Sequence, residues 1–225
     1  MILIFDLDDT LYPEISYVKS GLREVSIFLS KDFGLNKEIT YRDMCKSLNT
    51  YGRGKIFDSI LQKNKIFTIK NVKKCISIYR NHTPKISLYR DAERCIERFK
   101  NSKKYIITDG NIIVQRNKIK SLRLHKNFVK IIPTYQYGLS FSKPSLACFN
   151  MILETEQVKP EAMVYIGDNP HKDFINLKKI GIKTIRINRG AFKDIKLDDE
   201  HEADYNFQNL NSITKNFIGS IYEDR

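Results

Sequence analysis

The chain runs to 225 residues, 41% of them hydrophobic and 11% aromatic, a composition that excludes intrinsic disorder and allows one large domain or a core domain with a smaller insertion. No apolar run approaches the roughly 18–20 residues that span a bilayer, and the apolar opening is too short for a secretion signal, so a soluble, cytoplasmic protein with no membrane partner is expected. The net charge of +13 raises the question of nucleic acid, but the basic residues are scattered and a biased Lys/Ile/Asn composition produces the same excess, so no nucleic-acid partner is expected.

Ile2 to Phe5 reads as a buried strand, and "DLDD" follows it, crowding Asp6, Asp8 and Asp9 into four positions. Like charges this close repel and need compensation. Residues 14–86 then read as helical. Ile15, Val18, Leu22, Val25 and Leu29 share one helix face, and Gly34 ends that helix. Thr40 is the expected cap of a second helix carrying Met44 and Leu48, which runs out near "NTYGRGK". A third helix is expected around Ile56, Phe57, Ile60 and Leu61, and a fourth on Ile69, Val72, Ile76 and Tyr79, closed before Pro84. This stretch holds 15 Lys/Arg against 6 Asp/Glu and so carries +9 of the net +13. It reads as a small helical bundle.

From residue 87 the pattern alternates. "RDAERCIERFKN", "NIIVQRNKIKSLRL", "PSLACFNMILETE" (with Pro144 in its first turn), "HKDFINLKKIG" (stopped by Gly181) and "LNSITKNFIGSIY" read as helices. Between them "KYIITDG", "FVKIIPT", "AMVYIGDN", "KTIRIN" and "ADYNF" read as strands. This order predicts an α/β fold: a Rossmann-like open parallel sheet with helices on both faces, plus the helical bundle. The core domain is expected over 1–13 and 87–225, and the bundle over 14–86. Cys45, Cys75, Cys95 and Cys148 lack any CxxC or His-rich spacing, so neither zinc nor disulfides are expected of them.

In such sheets ligands bind beyond the carboxyl ends of the strands. Asp6, Thr108 and Asp168 each follow a strand, and Lys143 precedes a helix. Carboxylates without His or Cys neighbours suit a hard cation such as Mg²⁺, which keeps waters and a substrate phosphate oxygen beside one or two protein carboxylates. Lys143 adds a point charge and Thr108 a hydroxyl donor, a set that fits phosphoryl transfer. Read singly, each has a plainer explanation: Asp168 and Asp109 as turn or cap residues, Lys143 as a solvated lysine, Thr108 as a turn former. Their joint order carries the catalytic reading.

The motifs "DLDDTLY", Thr108 in "IITDG", Lys143 in "FSKPS" and "GDNPHKD" with Asp168 and Asp173 resemble, in order and over essentially the whole chain, those of the haloacid dehalogenase superfamily. The resemblance implies that Asp6 is the nucleophile forming an aspartyl phosphate and that Asp8 is the general acid and base. It implies Mg²⁺ held by the carboxylates of Asp6 and Asp168 and the backbone carbonyl of Asp8, phosphoryl binding by Thr108 and Lys143, and Asp173 supporting Lys143 or a metal-bound water. Asp9 and Thr10 take no chemical step, Thr10 being expected to hydrogen-bond locally. Carbon–halogen-cleaving members carry a non-acidic residue where Asp8 stands, so phosphate esters are favoured. The expected enzyme is a Mg²⁺-dependent phosphatase of a small phosphorylated metabolite: a sugar phosphate, an amino-alcohol phosphate or a nucleotide. A phosphomutase is the alternative, a non-catalytic binding protein a more distant one. Residues 14–86 occupy the position of the family's helical cap. Within them "YGRGK" has two readings: a loop whose Arg53 and Lys55 meet the leaving group, or a plain interhelical turn. A monomer or weak homodimer is expected.

Overall fold

Alternating apolar strands and amphipathic helices condense, in the computed structural model, into two compact units: Met1–Glu14 with Ser87–Arg225, and Ile15–Ile86. The structure describes residues 1–223, so the last positions of the expected core segment, 224–225, lie outside the described residues. The first unit is built on six parallel strands: β1 (Ile2–Phe5), β2 (Lys103–Thr108), β3 (Lys130–Pro133), β4 (Met163–Gly167), β5 (Lys183–Ile187) and β6 (Tyr205–Phe207). Their spatial order is β3-β2-β1-β4-β5-β6, which is the doubly wound Rossmann arrangement. The strand order reverses between β1 and β4, the crevice where such sheets bind ligands. Ile2 pairs with Lys103 on one side and Met163 on the other, and Phe5 with Ile106 and Ile166.

All four β1 side chains are at most 2% exposed. That explains why the strand reads as a continuous apolar run: a central parallel strand is covered on both faces. Ile2 and Ile4 join Tyr105, Ile107, Phe149, Tyr165 and Phe174 in one core cluster. Each such fully buried side chain contributes about 1.5–3 kcal/mol. The helices of this unit are α5 (Arg90–Arg98), α6 (Ile112–Ser121), α7 (Ala147–Glu156), α8 (Ile175–Lys179) and α9 (Lys215–Glu223).

Three helix starts of this unit differ from the sequence expectation: the last helix, read from Leu210, begins only at Lys215, after a separate short 3-10 turn over Leu210–Ser212. Pro144 does not lie in the first turn of α7; Ser145 closes a turn onto the Ser142 carbonyl at 2.9 Å and its Oγ accepts from Ala147, so the helix begins after it. The helix expected from His171 begins only at Ile175, because the amides of His171, Lys172 and Asp173 all turn back onto Asn169.

The second unit packs α1 (Glu14–Phe33), α2 (Lys37–Tyr51), α3 (Ile56–Lys63) and α4 (Ile69–Asn81) around Val18, Leu22, Val25, Leu29, Met44, Ile60 and Leu61. Ile15, expected on the buried face of α1, is 44% exposed. The cap of α2 is Asn36, whose Oδ1 accepts from Glu38 and Ile39 at 3.1 and 3.0 Å. Thr40 sits one turn inside that helix and is buried. On α4 the buried face is Val72, Cys75, Ile78 and Tyr79, with Ile69 exposed. A cysteine thus takes the central place that an aliphatic-only count gives to Ile76. All four cysteines are free thiols, and burial pushes Cys95 up to about 12, which leaves it unreactive.

Candidate active site

The β1 ladder continues one residue past the strand: the Asp6 amide donates to the Ile166 carbonyl at 2.8 Å. That bond fixes Asp6 beside the end of β4, so that Asp6 and Asp168 flank the crevice between the two strands. The chain then turns. Asp9 adopts the left-handed conformation, with φ of 54°, and its carboxylate accepts from the amides of Glu14 (2.8 Å) and Ala191 (3.2 Å). Gly190 packs so closely on Asp9 that a Cβ there would lie 2.2 Å from Asp9 Cγ. Arg189 completes this clasp by donating to the carbonyls of Asp9 and Thr10. Asp9 is therefore a structural acid. Thr10 departs from expectation, burying its hydroxyl with no partner among the described residues.

Behind Asp6 lies a buried polar cluster. Lys143 Nζ donates to Asp6 Oδ1 at 2.5 Å and to the Tyr165 hydroxyl at 2.8 Å, and pairs with Asp173 Oδ1 at 2.8 Å. Tyr165 in turn donates to Asp173 at 3.1 Å, and Asp173 Oδ2 accepts from the Asn169 amide at 3.0 Å. Gly167 makes room for this: a Cβ at that position would stand 2.5 Å from Asp173 Oδ2. Burial pushes the Asp6 carboxyl up to about 7, and Lys143 opposes that push.

Asp8 faces a different set. Its carboxylate accepts from Lys118 Nζ at 2.7 and 2.8 Å, from Tyr12 at 2.5 Å and from Gln115 Nε2 at 3.1 Å. Burial would raise this carboxyl, but the Lys118 charge and these hydrogen bonds outweigh it and hold it below the usual carboxylate range. Gln115 also donates to Thr108 Oγ1 at 2.6 Å, which leaves the Thr108 O–H able to donate elsewhere. Asp109 links the neighbouring loops, accepting from Thr134 Oγ1 (2.8 Å), the Lys143 amide (3.2 Å) and Lys172 Nζ (2.7 Å).

These groups surround a cavity of about 210 Å³ lined by the acids Asp6, Asp8, Asp9, Glu14, Asp109 and Asp168, with Thr108 and Lys172 among the other residues. Asp168 is 4% exposed and has neither a hydrogen bond nor an ion pair among the described residues. Burial, with Asp6 close by, pushes it up to about 9. Two buried carboxylates facing one cavity, one of them without any partner, form an oxygen-only donor set that fits a hard divalent cation. No cluster of three Asp, Glu, His or Cys side chains suited to a metal is gathered among the described residues. Two carboxylates meet the modest protein contribution that Mg²⁺ requires.

The structure thus brings Asp6, Asp8, Thr108, Lys143, Asp168 and Asp173 into one region of the first unit. Arg53 and Lys55 belong to the other unit, in the exposed turn between α2 and α3. Sequence reasoning missed Tyr12, Gln115, Lys118, Tyr165 and Lys172. Only the spacing of Gln115 and Lys118, three apart on α6, signals a shared face.

Comparison with known proteins agrees with this architecture. Residues 3–187 match the haloacid dehalogenase-like hydrolase family. The chain is 34% identical over 224 residues to the glyceraldehyde 3-phosphate phosphatase of Methanocaldococcus jannaschii, covering 94% of each chain. It is 28% identical to the enzyme of the same name from Pyrococcus furiosus, over 91% of this chain and 87% of that one. Among solved structures, the magnesium-bound hydrolase YfnB of Bacillus subtilis superposes with a TM-score of 0.67 at 18% identity, over 94% of this chain and 96% of that one.

Proposed function

The chain belongs to the haloacid dehalogenase-like hydrolases, and we propose that within that family it is a Mg²⁺-dependent phosphatase of a small phosphorylated metabolite. One observation carries this reading: Asp6, tied to Lys143 at 2.5 Å, shares a cavity with the unpartnered carboxylate of Asp168. In this reading Asp6 attacks phosphorus and the leaving alkoxide departs, which splits one difficult displacement into two easier ones. Lys143 aims Asp6 and favours its ionised form against the push of burial, while Tyr165 and Asp173 hold Lys143. Thr108 donates its free O–H to a phosphoryl oxygen. Asp8 serves both half-reactions. Its resting form is the carboxylate, which suits removal of a proton from the attacking water; donation to the alkoxide requires that Asp8 first take up a proton. Asp6, Asp168 and the Asp8 carbonyl would hold Mg²⁺, which would offset carboxylate repulsion and draw charge from the phosphoryl oxygens.

The inserted unit Ile15–Ile86 is assigned the role of a cap that sets selectivity, with Arg53 and Lys55 as its contacts to the leaving group. Glyceraldehyde 3-phosphate is the first substrate to test, on the strength of the relatives' names. The test is a panel of phosphorylated metabolites ranked by kcat/KM with Mg²⁺ present. Release of inorganic phosphate together with the free alcohol, and no isomeric ester, supports the phosphatase. An isomeric phosphate ester as product makes it a mutase, and no turnover on any ester refutes the reading.

A further inference from the structure

Resting on the phosphatase reading, we propose that Gln115 is a positioning residue of the reaction: its side-chain amide aims the Thr108 hydroxyl so that the O–H donates to the substrate's phosphoryl group. A threonine hydroxyl can donate or accept, and its hydrogen turns to suit its neighbours. Gln115 removes that choice. Its Nε2 lies 2.6 Å from Thr108 Oγ1, and an amide nitrogen only donates, so Thr108 receives this bond on a lone pair. The Thr108 O–H itself donates to no group among the described residues, and its side chain lines the cavity that holds Asp6 and Asp168.

The amide is held in that sense by its other contacts. Nε2 also donates to the Asp109 carbonyl at 2.8 Å and to Asp8 Oδ2 at 3.1 Å. A carbonyl and a carboxylate only accept, so turning the amide round would set oxygen against oxygen at both. Its opposite edge shows how strongly this orientation is favoured: Gln115 Oε1 is buried with no hydrogen-bond partner among the described residues. A buried acceptor left unsatisfied calls for an explanation, and the aimed hydroxyl supplies one. The backbone beneath is equally fixed. Asn111 caps α6 by accepting from Ile113 and Val114, and the Gln115 backbone amide donates to the Asn111 carbonyl at 3.0 Å. A Cβ on Gly110 would stand 3.4 Å from Gln115 Cδ, so the side chain lies tight against the turn that follows Thr108. A donor aimed before the substrate arrives needs no reorganisation when the phosphoryl group binds.

Orthophosphate binding with Mg²⁺ present, measured by calorimetric titration across a double-mutant cycle of Gln115→Met and Thr108→Val, tests this without any need for turnover. Thr108→Val removes a hydrogen bond to a charged group and should weaken orthophosphate binding by about tenfold or more. Gln115→Met should weaken it by about fivefold or more, because the Thr108 O–H then turns to the acceptors that Gln115 has released. In the Thr108→Val background the same Gln115→Met change should alter the affinity by less than about twofold. Gln115→Asn, which draws the amide back by one methylene, replaces Gln115→Met in the cycle if the latter does not fold. An equal loss in both backgrounds overturns the inference, by making Gln115 a packing residue. Orthophosphate affinity within about twofold of wild type in either single variant also overturns it and leaves the phosphatase reading standing; a fall in kcat alone in Gln115→Met would place its action on Asp8 instead. A wild type that neither binds orthophosphate nor turns over any ester refutes the phosphatase reading, and the inference falls with it.

Discussion

Two aspartates separated by one residue occupy opposite electrostatic states. Asp6 is raised to about 7 by burial while Asp8 is held low by Lys118, so in the proposed mechanism Asp8 is ready to take a proton from water and must first be protonated before it can serve a leaving alkoxide. Asp8→Asn should therefore lower kcat by about 10²- to 10⁴-fold, most with alkyl esters and least with an aryl ester whose leaving group needs no proton. Equal losses on both would contradict the proton-transfer role. Asp109 carries a pH prediction. Burial pushes its carboxyl up, yet Lys143, Lys172 and the Thr134 hydrogen bond pull it below 3.8 overall. A carboxyl whose folded pKa is depressed stabilises the fold above its unfolded value and loses that contribution as pH falls through the folded one. The Tm gap between wild type and Asp109→Asn should thus be widest near neutral pH and close below 3.8. A gap that persists in acid would contradict this assignment.

Elements decided which of these residues could be found by reading. Asp6, Thr108 and Asp168 stand where buried apolar runs stop, and that transition is visible in one dimension. The α6 residues were not visible, because Gln115 and Lys118 resemble a solvated helix face until the fold buries them to 1% and 3% exposure. Tyr165 was hidden for the opposite reason: it sits mid-strand in β4, where an aromatic reads as core. Asn36 and Thr40 are both good caps one turn apart, and only the amide hydrogen bonds of Glu38 and Ile39 decide between them. The packing of α6 against the β1 turn yields its own test. Lys118→Met leaves the part-buried Asp8, whose side chain is 22% exposed, without its counter-charge and should destabilise the protein by about 1–3 kcal/mol. Chemical denaturation measures this, and a loss near zero would mean that the pair is not formed in solution.

Across the whole molecule, charge is distributed against its average. The chain is basic at +13, yet the cavity that holds Asp6 and Asp168 is lined by six acids and one lysine. A surplus of buried carboxylate at one point is a cost that a bound cation relieves, so Mg²⁺ should raise Tm. At a concentration 100-fold above its Kd the gain is about 2.7 kcal/mol. Asp168→Asn should abolish the shift, and chelation should reverse it and stop turnover. An unchanged Tm shift in that variant would move the metal elsewhere. The composition that argued against nucleic acid could not reveal this inversion, because it arises only when strand ends from distant parts of the chain converge. The central claim is that Asp6 forms a covalent aspartyl phosphate. Borohydride quenching during turnover with Mg²⁺, followed by peptide mapping, tests it most directly, since reduction of an acyl phosphate converts the aspartyl residue to homoserine. Homoserine at position 6, dependent on substrate, is the expected result; active enzyme quenched with Asp6 unmodified, or modified at another acid, would contradict it.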